Sequence, residues 1–206
     1  MEKLIFATGN TKKGYEMIEK FTKEGISLEL KIMDFQEPEV NDIEVVARSK
    51  VEQSYEIVKK PCFVIDSGLN ILAYPNNPGY PGSFVRRSGI SENIDMLLDT
   101  MKDVNDRRCV FLDCLAFYDG ENLYTFFGRD EGEIIKEKRG HDNPAMRSPL
   151  WYVFKPQFCT KTLAEMTDEE RLSRKDGHIS AKEQFIKWYR EEYKKNKQLV
   201  KKINLI

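Results

Sequence analysis

Thr8-Gly9-Asn10-Thr11-Lys12-Lys13 follows a short apolar run, Leu4-Ile5-Phe6-Ala7, and leads into a helical pattern. A strand that ends this way brings backbone N–H groups, a small hydroxyl, an amide and an ammonium to one point. Glycine lets the backbone approach an anion, and the first turn of a helix offers unpaired N–H groups and a partial positive charge. The chemistry is that of a phosphate cradle, although Gly-Asn also serves merely to turn a chain. The spacing matches neither G-x-x-x-x-G-K-[ST] nor G-x-G-x-x-G, which sets aside the common ATPase loop and the dinucleotide fingerprint. Asp66 is the second candidate. It closes the apolar run Cys62-Phe63-Val64-Ile65 and precedes Ser67-Gly68. A carboxylate is thereby expected at the C-terminal edge of a sheet, where open α/β folds bind ligands; capping a short following helix is the competing role. Glu37, Glu39 and Asp42 lie in an acidic connection able to reach the same edge. Two or three carboxylates facing a triphosphate are what a magnesium ion needs.

These groups require strands that end together and helices that begin beside them. Tyr15, Ile18 and Phe21 keep helical spacing up to Gly25, residues 27–33 alternate as a strand, and Val46, Ala47, Val51, Tyr55 and Val58 predict a helix stopped by Pro61. Asp66 is expected where the next strand gives way to a loop. Residues 74–83, dense in Pro, Gly and Asn, read as an ordered loop, and Ser91 as the N-cap of a helix over Ile94 to Met101. Residues 108–118 and 122–128 read as a hairpin turned by Asp119-Gly120, with a third β segment at Glu133 to Lys136. A second Gly/Pro/polar loop covers 139–149, Leu150 to Phe154 read as a strand, and 156–176 as loop and short helix. Ile179, Phe185, Ile186, Trp188, Tyr189 and Tyr193 form the apolar face of a final helix, followed by the basic residues Lys194, Lys195, Lys197, Lys201 and Lys202. Early strand–helix alternation and a late hairpin predict an α/β fold with a mixed sheet and helices packed on it.

With 206 residues the chain suits one domain, or one domain in two lobes. Lysine and arginine number 33 against 34 acidic residues. So even a balance gives no global field for a polyanion, and nucleic acid and anionic membranes are not expected partners. No stretch approaches the roughly 20 apolar residues of a membrane span, so a cytoplasmic protein is expected. Cys62, Cys109, Cys114 and Cys159 form no Cys-x-x-Cys pair and read as buried free thiols; neither His141 nor His178 has a partner at metal-ligand spacing.

Thr8-Gly9-Asn10-x-x-Lys13, the acidic loop with Glu39, Asp66-Ser67-Gly68-Leu69, Pro78-Gly79, Phe126-x-Gly128-x-x-x-Gly132-x-Ile134 and Thr162-x-Ala164-Glu165-Met166 occur in the order found in the inosine triphosphate pyrophosphatase family, which the chain resembles over nearly its whole length. The resemblance implies an elongated mixed sheet flanked by helices, a single domain over residues 1–206 in two lobes with a cleft between them, and a homodimer. It also implies magnesium-dependent hydrolysis of a nucleoside triphosphate to the monophosphate and pyrophosphate. Carried over by position, Thr8, Gly9, Asn10, Lys13, Ser67 and Gly68 would bind substrate, Glu39 and Asp66 would bind the metal, and Asp66 with Lys13 would serve catalysis.

The base-reading end departs from the family. Ile65 stands where an acidic residue often precedes the aspartate. Pro149-Leu150-Trp151-Tyr152-Val153-Phe154 lacks the family's Asp-Pro, the Ser-His-Arg triplet is absent near Asp176-Gly177-His178, and Glu170-Arg171-Leu172 replaces Glu-Lys-Asn. Arg171 and His178 are the substrate-binding candidates left at that end. Residues 141–149 resemble an insertion whose His141, Asp142, Asn143 and Arg147 could rebuild a polar pocket, with Trp151 or Tyr152 stacking on a base or simply filling the core. An altered base preference is expected. The alternative from another class is a nucleotide-binding module that has lost turnover.

Overall fold

The computed structural model describes residues 3–142, 144–174 and 176–195. Asn143 and the basic Lys197, Lys201 and Lys202 lie outside them. An eight-stranded mixed sheet is built from β1 (Leu4–Thr8), β2 (Leu28–Ile32), β3 (Cys62–Ile71), β5 (Arg108–Tyr118), β6 (Leu123–Ile134) and β7 (Phe154–Pro156) in the order β2-β1-β3-β5-β6-β7, with β4 (Pro81–Gly82) added to β3 and β8 (His178–Ile179) to β6. β1 runs parallel to β2 and β3, and every other pairing is antiparallel. Helices α1 (Thr11–Lys23), α2 (Ile43–Val58), α3 (Ile94–Thr100), α4 (Asp168–Ser173) and α5 (Ala181–Trp188) flank it. The α/β class and the mixed sheet are as expected.

Side chains alternate across β3 and β5, which separates two faces. On one, Phe63, Ile65, Leu115 and Phe117 pack under Met17 and Phe21 of α1 and Phe185 and Ile186 of α5. Phe63 lies between Phe6 and Phe21 at centroid distances of 4.9 and 5.2 Å, and burying each such ring contributes roughly 1.5–3 kcal/mol. Further along the same face, Leu69, Ile71, Cys109, Phe111 and Ile134 form a second core with Leu97, Met101, Leu150 and Phe154. Between the two cores the face is crossed by Ser67, Asp113 and Gly128, aligned in register across β3, β5 and β6. The opposite face carries Val64, Cys114 and Ala116 against Ala47 and Val51 of α2.

Local chemistry corrects several expectations. β3 does not end at Asp66, because β5 pairs with it continuously from Cys62 to Ile71; Asp66 therefore sits within a strand and caps no helix. α3 is capped by Asn93, whose Oδ1 accepts the Met96 N–H at 3.0 Å, while the Ser91 hydroxyl turns back to the Val85 carbonyl. The segment at Glu133 continues β6 rather than starting a third strand, since the ladder to β5 runs to Arg108↔Glu133. Pro149–Tyr152 is a 3-10 turn, not a strand: Ser148 caps it and Pro149 supplies a preset φ at its start. Trp151 and Tyr152 are accordingly half-buried and pack against the second core from this turn rather than from a strand. Ile179 pairs within β8 and is exposed, so the apolar face of α5 begins at Ala181. Cys62, Cys109 and Cys114 are buried free thiols, and Cys159 is half-buried.

Candidate active site

β5 occupies one side of β3 along its whole length. On the other side β1 pairs only with Cys62 and Phe63, and β4 only with Leu69 and Asn70. Residues 64–68 thus keep an open strand edge between two short neighbours, and the chain leaving β1 turns directly over it. The Thr8 hydroxyl oxygen accepts the Asn10 N–H at 3.1 Å, and the Asn10 amide oxygen accepts the Lys13 N–H at 3.0 Å. That second bond is the N-cap of α1 and fixes the cradle before any ligand arrives. Lys13 Nζ then reaches the open edge and donates to the Ile65 carbonyl at 2.8 Å, one residue from Asp66. Burial lowers the Lys13 pKa to about 8 against the pull of Asp113 and Asp66. Gly68 lets β4 close in, since a Cβ there would stand 2.7 Å from the Gly82 carbonyl oxygen.

On the α2 face, Lys50 extends from α2 and places its ammonium 3.1 Å from Asp66 and 2.7 Å from Glu37, with Arg87 3.6 Å from Glu37. Lys50 is only 11 % exposed and also lies over the Phe35 ring. The acidic loop therefore divides its roles. Glu37 joins Asp66 through Lys50, whereas the Asp42 carboxylate accepts the Glu44 and Val45 N–H groups as the cap of α2. Glu39 is exposed and in no ion pair among the described residues. No cluster of three metal-ligating side chains occurs among those residues.

On the α1/α5 face, the Ser67 hydroxyl donates to Asp113 Oδ1 at 2.6 Å, and Lys182 in the first turn of α5 lies 3.8 Å from Oδ2. Gly128 completes this floor because a Cβ would meet the Ala181 nitrogen at 2.8 Å. Burial opposes ionisation of Asp113, but Lys182, the Ser67 hydroxyl, Lys13 and Arg147 together hold its carboxyl below the usual range. Residues 144–147 bridge the gap above the floor: Lys12 donates to the Pro144 and Met146 carbonyls at 2.9 and 3.2 Å, and Arg147 pairs with Glu16 at 3.0 Å. A depression of about 620 Å3 opens against Asp142, Met146, Arg147 and Ser148. The Tyr152 hydroxyl donates to Asp142. Arg171 stacks on Trp151 and donates to the Leu163 and Met166 carbonyls, with Asp168 as its ion pair. Its guanidinium thus ties down the turn at 163–168. His178 pairs with Asp130 across β8 and β6, half-buried.

The fold gathers Thr8, Gly9, Asn10, Lys13, Asp66, Ser67 and Gly68 around one strand edge, with Glu39 on the neighbouring acidic loop, whereas Arg171 is tied to the turn at 163–168 and His178 lies on β8 beside β6. Lys50, Asp113 and Lys182 escaped the sequence reading. Two of them had a signal: Lys50 lies on the apolar stripe between Ala47 and Val51, and Asp113 interrupts the apolar run of β5. A charge in an apolar stripe is costly unless paired, so it marks a partner elsewhere in the chain.

A family model described as the Ham1 family matches residues 4–188. A dITP/XTP pyrophosphatase of Saccharolobus solfataricus is 31% identical over 196 residues, covering 92% of this chain and 96% of that protein. One of Thermococcus kodakarensis is 30% identical over 192 residues, covering 93% and 100%. Among solved structures, a HAM1 protein from Coxiella burnetii superimposes with a TM-score of 0.70 at 23% identity over 91% of this chain and 95% of that one. The Ham1 protein of Staphylococcus aureus gives 0.68 at 21% identity over 84% and 90%.

Proposed function

The chain belongs to the Ham1 family, and from that premise we propose that it is a nucleoside triphosphate pyrophosphatase, releasing pyrophosphate and a nucleoside monophosphate. The observation that carries the proposal is the meeting of the Lys13 ammonium with the strand edge beside Asp66, where β1 and β4 both stop short. The relatives' printed names support the same reaction class.

In this reading the triphosphate lies along the open edge of β3. The α1 N-terminus and the Thr8–Asn10 turn supply N–H groups to its phosphates, and Lys13 neutralises developing charge on the departing pyrophosphate. Asp66, held by Lys50, orients a water toward the α-phosphorus and takes up its proton as the new P–O bond forms and the bond to pyrophosphate breaks. Two carboxylates at one edge fit magnesium, which is usually bound through one or two carboxylates plus substrate phosphates rather than by an all-protein cage. Asp66 with Glu37 or Glu39 would hold it, and when bound it supplies further neutralisation of the polyphosphate. The proposal includes one domain in two lobes, supported by two cores on one sheet face. It also includes a homodimer, a cytoplasmic setting and an altered base preference, the last supported by Tyr152 and Asp142 standing together at the base end.

The test is a panel of purine and pyrimidine nucleoside triphosphates assayed for pyrophosphate, with and without magnesium. Turnover of at least one substrate, lost by roughly a hundredfold or more in Asp66→Asn, is expected. Binding of nucleotide by calorimetry without any product would establish the inactive binding module instead.

A further inference from the structure

The family leaves the sugar open, since the name dITP/XTP pyrophosphatase covers both a deoxyribonucleotide and a ribonucleotide. The structure offers a carboxylate for it. Asp113 stands mid-floor between the two cores, in register with Ser67 on one side and Gly128 on the other. On β3 the face of Ser67 is not the face of Asp66, so Asp113 and the proposed metal carboxylate lie on opposite sides of the sheet. Lys13 comes from α1, which packs on the first core, and Trp151 with Arg171 stacked on it lies at the second; Arg147, paired with Glu16 of α1, bridges between them, its charge acting on Asp113, Lys182 and Arg171 alike. A nucleotide whose phosphates sit at Lys13 and whose base points toward Trp151 must set its sugar over Asp113, between the two cores.

Chemistry narrows what that carboxylate can meet. A phosphate would repel it, and the N–H and carbonyl edge of a base lies beyond it. A sugar hydroxyl is a donor that an ionised carboxylate accepts strongly. Asp113 has the capacity: Ser67 takes one lone pair of Oδ1, Lys182 is a long 3.8 Å from Oδ2, and a third of the side chain remains open. Acidic side chains read ribose hydroxyls in this manner in dinucleotide folds. Resting on the reading of the preceding subsection, we propose that Asp113, oriented by Ser67 and Lys182, accepts hydrogen bonds from the 2′ and 3′ hydroxyls of the substrate and confers a preference for ribonucleotides. Asp113 is then a specificity residue that touches the sugar and not the reacting phosphorus.

The experiment compares kcat/KM for inosine triphosphate, 2′-deoxyinosine triphosphate and 2′,3′-dideoxyinosine triphosphate, or the same sugar series on the base that the panel selects. The wild type is expected to favour the ribonucleotide by about tenfold over the 2′-deoxy and by more over the dideoxy form. Asp113→Asn withdraws a charge that pulls on Lys13 and lowers turnover of every sugar form, but the ratio of ribonucleotide to dideoxynucleotide kcat/KM should fall to about one. A wild type indifferent to both hydroxyls overturns the inference without any variant. An Asp113→Asn protein that loses ribo- and dideoxynucleotide turnover equally also overturns it, showing a counter-charge for the lysines instead. Failure of the wild type on every triphosphate would refute the pyrophosphatase reading, a result distinguishable from either of these.

Discussion

Lys50→Met removes the cation between Asp66 and Glu37 while keeping an unbranched stem of good helix propensity against Phe35. The magnitude follows from exposure. Breaking a buried ion pair from one side costs about 3–5 kcal/mol, while an exposed pair contributes about 0–1 kcal/mol. Lys50 is 11 % exposed, Asp66 20 % and Glu37 38 %, so the case falls between, at about 2 kcal/mol. At about 2–4 °C per kcal/mol for a chain of this size, Tm should fall by about 4–8 °C. The two carboxylates then face one another without a counter-charge, and a divalent cation becomes the best available replacement. Thermal unfolding in magnesium chloride, against sodium chloride at equal ionic strength, should therefore raise Tm more in the variant than in the wild type. A variant as stable as wild type, or one that magnesium helps no more than sodium, would refute the claim that Lys50 holds the place between these carboxylates.

Three further outcomes follow from particular contacts. Because burial lowers Lys13 to about 8, it loses its proton as pH rises through that value, and an arriving polyanion favours the charged form. Triphosphate affinity should fall above pH 8, and calorimetry in buffers of different ionisation enthalpy should show proton uptake on binding near pH 8 that fades by about pH 6.5. Asn10→Ala removes the cap of α1, with an expected loss of about 1 kcal/mol in denaturant unfolding and weaker triphosphate binding. Gly68→Ala drives a Cβ to 2.7 Å from the Gly82 carbonyl oxygen. Displacement of β4 should cost about 1–3 kcal/mol, and unchanged stability would mean that β4 is not held by that close approach.

What the sequence made legible was local. Thr8 to Lys13 combine a strand end, an N-cap and a helix start within a few residues, so their meeting needs no long-range information, and the periodicities of α1, α2 and the β5–β6 hairpin are equally self-contained. Asp66 shows where locality fails. Reading Asp-Ser-Gly as a strand end was reasonable from propensity, but pairing with β5 through Ile71 overrode it. The expected strand over Leu150 to Phe154 failed up to Tyr152, because Ser148 and Pro149 began a 3-10 turn at a site whose apolar residues favour β structure, and a strand starts only at Phe154. Asp113 and Lys182 were illegible as a pair because they are brought together only when α5 settles over Gly128.

The pairing of charges in this cleft bears on which form of substrate it accepts. Lys13, Lys50, Lys182, Arg87 and Arg147 face Glu16, Glu37, Asp66 and Asp113, each cation set against a carboxylate or a carbonyl. The named groups thus leave about one positive charge, in keeping with a chain whose overall balance is −1. Such a site exerts little net pull on a free triphosphate, whose every phosphate is charged, and it would have to break existing pairs to bind one. A triphosphate neutralised in part by magnesium would place far less excess charge in the cleft, and Asp66 and Glu37, which Lys50 now joins, would be the carboxylates to hold that metal. Lys50 would then face phosphate oxygens. Were magnesium the cofactor, the complexed nucleotide would be the form selected, through an exchange of partners within the cleft rather than an attractive field around the protein.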